Sequence, residues 1–247
     1  MMKILCISLN IHWWLITLLC WPLLLWQGKR VRKLALRLPE AAGPRSGVSG
    51  DAQLPPLRLL ICGDSAAAGV GVTLQEDALS GQLVSLLAPH YRVQWQLEAQ
   101  TGLDSAALAA RLAKLNGQCF DVVVLSIGVN DVTSLCSVRR FCRQLAQCLS
   151  LLKQQNGNPL VLFSAIPPMQ HFSALPRPLN GWLGIKARQL NQLATEQMIA
   201  RSKAVFVSSP DTLTAAMLAA DGFHPSAAGY TLWANQLLVA ISNNIAH

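Results

Sequence analysis

Val122-Val123-Val124-Leu125 is apolar at every position, so a strand formed there has both faces buried. Such strands sit inside sheets covered by helices on two sides. Other strand candidates are Arg58–Cys62, Arg92–Leu97, Leu160–Ser164 and Ala204–Val207, with the apolar run extending over Val122–Ile127. Between them lie segments of helical periodicity: Leu79–Leu87, Ser105–Leu115, Val138–Gln154, Leu183–Ala200 and Ala227–Ile241. Strand and helix alternate from Leu57 onward, which predicts a parallel sheet of five strands between two helix layers.

One stretch breaks that rhythm. Between Ala165 and Trp182 stand Pro167, Pro168, Pro176, Pro178 and Gly181, too many breakers for a regular element. The same stretch carries Met169, Phe172, Leu175 and Trp182. An apolar loop at the C-terminal end of a strand suits the wall of a ligand pocket, and equally an irregular cover over the core.

The N-terminal part differs in character. Ile4 to Trp26 is almost wholly apolar, close to the roughly 20 residues that cross a bilayer. Trp13, Trp14, Trp21 and Trp26 suit interfacial positions. A cleaved signal peptide does not fit, since Ala41-Ala42-Gly43 comes late and follows a basic stretch. Nor does a lipoprotein anchor, with Leu5 before Cys6 and Leu19 before Cys20. The expectation is a single-pass membrane anchor in residues 1–28, followed by a basic flank and Pro/Gly-rich linker in 29–56 and a catalytic domain in 57–247. Lys29, Arg30, Arg32, Lys33 and Arg37 follow the apolar run, and the positive-inside rule then places the catalytic domain in the cytoplasm. Val31, Leu34, Ala35 and Leu38 fall at helical spacing within that flank, consistent with a short interfacial helix or a frayed basic stretch. Pro39 to Pro56 reads as a flexible span of about 20–25 Å.

The net charge of +8 does not indicate nucleic acid. Six of the twenty Lys and Arg lie in residues 1–38, which hold no acid, leaving fourteen basic against twelve acidic residues beyond. The body is nearly balanced, so no basic footprint remains. Seven cysteines show no spacing of a disulfide framework or a zinc site. Cys136, Cys142 and Cys148 recur every six residues, which scatters them around a helix.

Ligands of a parallel α/β sheet bind beyond the C-terminal ends of its strands. Four polar or turn positions fall there. Ser65 follows the first strand in Gly63-Asp64-Ser65, Gly102 the second, Asn130 the third, and His224 precedes the last helix in Asp221-Gly222-Phe223-His224-Pro225. A serine needs a base to become a nucleophile, and a histidine oriented by a carboxylate is the usual one. His224 has Asp221 three residues before it, whereas His90 and His171 have no acid nearby, His12 lies in the apolar run and His247 is terminal. Gly63, Gly69 and Gly71 raise the question of a phosphate loop, but Gly-Lys-Ser/Thr is missing and the dinucleotide glycine spacing fails. Asn130 and Gly102, taken alone, read equally well as turn residues; as donors they would face the oxygen of an ester as it gains negative charge.

Gly63-Asp64-Ser65 with Gly69, then Gly102, Gly128-Val129-Asn130-Asp131 and Asp221-Gly222-Phe223-His224-Pro225 together resemble the four blocks of the SGNH hydrolases, the GDSL-type esterases and lipases. The resemblance covers Leu57 to the C-terminus. It implies a flavodoxin-like three-layer α/β/α fold and catalysis by Ser65, His224 and Asp221 with no metal or other cofactor. It further implies an oxyanion hole of the Ser65 and Gly102 N–H groups and the Asn130 amide, with Asp64 and Asp131 bracing loops. Ala66 stands where the GDSL name has leucine.

The function expected is a membrane-anchored serine esterase acting on a small-molecule or lipid ester. Lysophospholipids or thioesters suit the tether and the apolar loop. A short-chain carbohydrate acetylesterase and an acyltransferase would use the same triad, and a non-catalytic binding protein is the remaining class.

Overall fold

The computed structural model describes residues 2–115, 117–210 and 212–245; the side chains of residues 2–10, 12 and 155 lie outside that description. Its centre, among the described residues, is a six-stranded sheet in the order β1-β3-β2-β4-β5-β6, where β1 is Ser46–Ser49 and the other five strands are as follows. The five strands β2 (Pro56–Gly63), β3 (Arg92–Ala99), β4 (Val122–Ser126), β5 (Leu160–Ser164) and β6 (Ala204–Val207) run parallel. β4 and β5 are buried at every position, as their unbroken apolar runs require.

Two apolar cores flank the sheet. Leu59, Ile61, Val122, Val124 and Leu162 face α2 (Leu79–Leu87) and α7 (Ala227–Ser242). Leu60, Cys62, Val123, Leu125 and Phe163 face α3 (Ser105–Leu112), α5 (Val138–Gln155) and α6 (Leu179–Ile199). Helix starts follow local chemistry: the side chains of Asp104, Ser137 and Ser226 accept backbone N–H bonds at the first turns of α3, α5 and α7.

The stretch expected as a flexible span is built into the sheet. Ser46–Ser49 form β1, antiparallel to β3 with Ser46 opposite Gln96 and Ser49 opposite Val93. Upstream of it, Ala42 N–H donates to the Thr73 carbonyl, the Ala42 carbonyl accepts from Gln75 N–H, and the buried Gln75 amide donates to the carbonyls of Ala41 and Ala68. Small and proline residues resemble a linker by composition, but here the backbone of Ala41, Ala42 and residues 45–49 is bonded to the 68–75 turn and to β3.

The N-terminal segment also departs from expectation. Among the described residues no helix is long and apolar enough to cross a membrane, so the single-pass anchor is overturned, and the orientation drawn from it falls with it. α1 (Met2–Leu34) instead lies against α6. Leu24 is buried in the core, and the Trp13 ring stacks on Trp182 at 5.1 Å between centroids. Trp182 Nε1 donates to Thr17 Oγ1 at 2.7 Å. Gln27 caps α6, its amide donating to the Arg177 carbonyl at 2.7 Å and its oxygen accepting from Leu179 N–H at 3.3 Å. Hydropathy alone misled because part of that apolar surface serves the domain. The outer face still exposes Trp14, Leu18, Leu19 and Trp21. The flank of residues 29–38, read as a separate interfacial helix or a frayed stretch, continues α1 as far as Leu34, and Arg32 donates to the Thr133 carbonyl.

Trp182→Ala removes both the stack and the Thr17 bond. It should cost about 3–5 kcal/mol in denaturant unfolding and expose the α1 arm to proteolysis before the domain unfolds.

Candidate active site

Ser65 sits in the turn after β2. Within that turn Ala68 N–H donates to the Asp64 carbonyl at 3.0 Å and Val70 N–H to the Ser65 carbonyl at 3.0 Å. The turn is tied to α7 from below: the buried Tyr230 hydroxyl shares its proton between the carbonyls of Ala66 and Val70, at 2.9 and 2.8 Å. Close approach also requires a missing side chain. A Cβ on Gly71 would stand 2.2 Å from the Pro225 carbonyl oxygen, so glycine lets the Ser65 turn and the His224 loop meet.

The loop before α7 orients the imidazole. Asp221 Oδ1 accepts the backbone N–H groups of Phe223 and His224, each at 3.0 Å, and Oδ2 lies 2.6 Å from His224 Nδ1. His224 Nε2 then lies 2.8 Å from Ser65 Oγ. With Nδ1–H donated to the carboxylate, Nε2 is left as the acceptor of the serine proton. Burial alone would raise the Asp221 pKa, but the bonds from the His224 ring and from the two N–H groups hold it below the ordinary carboxylate value. Asp221 thus stays anionic where the imidazole needs it.

β3 and β4 are the two strands that flank β2; Gly102 follows β3, and Asn130 stands after β4 at the start of α4 (Val129–Thr133). These two loops are cross-tied. Asn130 Nδ2 donates one proton to the Leu103 carbonyl at 2.8 Å, leaving its second N–H for a ligand. Buried Asp131 accepts from Ser105 N–H at 3.0 Å and from Ser105 Oγ at 2.6 Å. Burial raises the Asp131 pKa against those bonds. All of Ser65, Gly102, Asn130, Asp221 and His224 therefore lie at the C-terminal edge of the sheet.

An apolar cavity of about 110 Å³ opens beside Ser65 and His224. Phe172, Leu213, Met217, Phe223 and Leu232 wall it, and the ends of β4 and β5 at Ser126 and Ser164 lie beneath. Of the apolar residues marked in the proline-rich loop, Phe172 reaches this cavity; Trp182 turns away to α1. The walls from 213–218 and from α7 went unread in the sequence, because they lie in a stretch without periodicity and on a helix whose inner face reads as core. Glu40 was also missed. Its Oε1 accepts from Thr101 N–H at 2.6 Å and from Thr101 Oγ1 at 2.8 Å, next to Gly102. Among the described residues no group of three or more His, Cys, Asp or Glu is placed to hold a metal ion.

The sequence profile of the GDSL-like lipase/acylhydrolase family matches residues 61–232. The chain belongs to that family. A GDSL-like esterase of Mycobacterium tuberculosis is 25% identical over 195 residues, covering 75% of this chain and 62% of that protein, so the chain spans under two thirds of that relative. Among solved structures, TesA superposes with a TM-score of 0.62 at 22% identity, covering 76% of this chain and 99% of its own. A family 3 carbohydrate esterase of Clostridium thermocellum gives 0.60 at 18% identity, with 76% and 96% covered. These two establish likeness of fold, the α/β architecture of SGNH hydrolases with its mostly parallel sheet.

Asp64 is the buried carboxyl of the motif. Burial lifts its pKa from 3.8 to about 7, against a bond from Ala66 N–H and with a contribution from Asp131. A raised folded-state pKa stabilises the fold fully below the unfolded value, and that contribution is lost as pH rises through about 7. Asp64→Asn keeps an oxygen for Ala66 N–H and cannot ionise. The stability difference between wild type and Asp64→Asn, followed by denaturant unfolding from pH 4 to pH 8, should shift against the wild type as pH rises through that window. A pH-independent difference would contradict it.

Proposed function

We propose that this chain is a serine esterase that cleaves carboxylic esters through an acyl-enzyme. The observation carrying this reading is the chain of contacts from Ser65 Oγ to His224 Nε2 at 2.8 Å and from Nδ1 to Asp221 at 2.6 Å. In the reaction Ser65 Oγ attacks the ester carbonyl while its proton passes to His224 Nε2. Asp221 steadies the imidazolium. Negative charge on the carbonyl oxygen is met by the Gly102 and Ser65 N–H groups and by the free amide proton of Asn130. His224 returns the proton to the departing alkoxide, and water, deprotonated by the same ring, then releases the acid.

The cavity supports an acyl group rather than a sugar as the portion held beside Ser65, because its walls are apolar. A cavity of about 150 Å³ accommodates benzene, so one of about 110 Å³ suits roughly four to six carbons. Lysophospholipid as substrate leaned on a membrane tether and loses that support; thioesters with short acyl groups retain theirs. Acyl transfer to an alcohol would begin with the same attack, and product analysis distinguishes it by acylated alcohol in excess of free acid.

Ser65→Ala should lower kcat on the order of 10⁶-fold with the unfolding curve unchanged, and wild-type turnover in that variant would eliminate the mechanism. Asn130→Ala should lose about 10²–10³-fold in kcat. In a series of aryl esters, kcat/KM should be greatest near acyl chains of about four to six carbons; a steep fall beyond acetyl would favour a carbohydrate-type deacetylase instead.

A further inference from the structure

The oxyanion site has a support that the family's shared stretch does not contain. Gly102 has a φ of +87°, and no heavy atom lies within 4 Å of where its Cβ would be. Glycine is the least restrained residue, and nothing packs against this one. The direction of its N–H therefore depends on how the flanking peptides are held. After Gly102, Leu103 is fixed through its carbonyl by Asn130 and through its N–H by the Gln100 carbonyl at 3.3 Å. Before Gly102, Gln100 N–H donates to the Gly63 carbonyl at 3.2 Å. Thr101 itself is pinned by Glu40, one carboxylate oxygen taking both its N–H and its hydroxyl.

Glu40 is in turn held. Arg45 Nη1 donates to Glu40 Oε2 at 3.2 Å, and Arg45 Nη2 donates to the Ala99 carbonyl at the end of β3. The Arg45 carbonyl accepts from Leu97 N–H at 2.7 Å, and β1 follows at once. The register of β3 is already set by β1 and β2 on either side. The two bonds that Glu40 accepts from Thr101 act on the turn after β3, beyond the paired register.

We propose that Glu40 is a positioning residue for the oxyanion site: it holds the Gln100–Thr101 peptide and the Thr101 side chain, and so sets the direction of the next peptide, whose Gly102 N–H faces the carbonyl oxygen attacked by Ser65. This rests on the esterase reading above. Misplacement of a catalytic group by about 1 Å can cost about 10²-fold, and outright loss of a donor about 10²–10³-fold. Freeing Thr101 leaves Asn130 and Ser65 as donors, so a smaller loss follows.

The test compares Glu40→Ala and Glu40→Gln in the full chain. Glu40→Ala should lower kcat about tenfold with KM within about twofold. It should weaken binding of an aryl trifluoromethyl ketone by the same factor, because the hemiketal oxyanion occupies the same place. Glu40→Gln should recover most of both, since its amide oxygen still accepts from Thr101. Undiminished kcat in Glu40→Ala would overturn the proposal. So would equal losses in both variants that track a lowered thermal midpoint, which would make Glu40 a staple of the fold only. A wild type that neither turns over aryl esters nor takes a fluorophosphonate label at Ser65 would instead overturn the esterase reading, and the role of Glu40 with it.

Discussion

The site depends on two loops far apart in sequence being held at contact distance, the turn after β2 and the loop before α7. Tyr230 makes that hold: fully buried, it carries a hydroxyl on α7 that reaches the carbonyls on either side of the Ser65 turn. An unpaired carbonyl in such a place would be costly, so the pairing resists separation. Burial pushes the Tyr230 pKa well above its ordinary value, which keeps the donor proton in place. The small residues of the turn complete the arrangement by letting backbone meet backbone. The serine–histidine contact is thus a result of how α7 docks, not only of motif residues being present.

Much of this was legible from residues alone. The helix over Leu79–Leu87 and the strands over Leu160–Ser164 and Ala204–Val207 coincide with the elements observed. They did so because local periodicity and burial agree there. That the five candidate positions gather at the C-terminal edge of the sheet was legible because each follows a strand end or precedes the last helix, where topology leaves little choice. The order Gly102, Ser65, Asn130 across adjacent strand ends follows from the sheet order, with β2 between β3 and β4.

What escaped reading has one physical cause: the deciding partner is distant in sequence. Pro39 to Pro56 has a linker's composition, yet Gln75 and the edge of β3 give its backbone somewhere to bond. The apolar run before it has nearly an anchor's hydropathy, yet Trp182, Leu179 and Arg177 take up one side of α1. Leu213 and Met217 lie in an aperiodic stretch that acquires meaning only when folded over the strand ends. Glu40 offered one signal, as the first acid in the sequence, but nothing local pointed to Thr101.

β1 has a consequence for the behaviour of the whole molecule in concentrated solution. It is four residues long and covers part of the eight-residue outer edge of β3. A short terminal strand offers a newcomer few amide groups, whereas a bare strand of twice that length is a template for intermolecular pairing. Peeling back this strip would convert a monomer-compatible sheet into one able to recruit neighbours by strand addition, so the arm also acts as the sheet's guard against self-association.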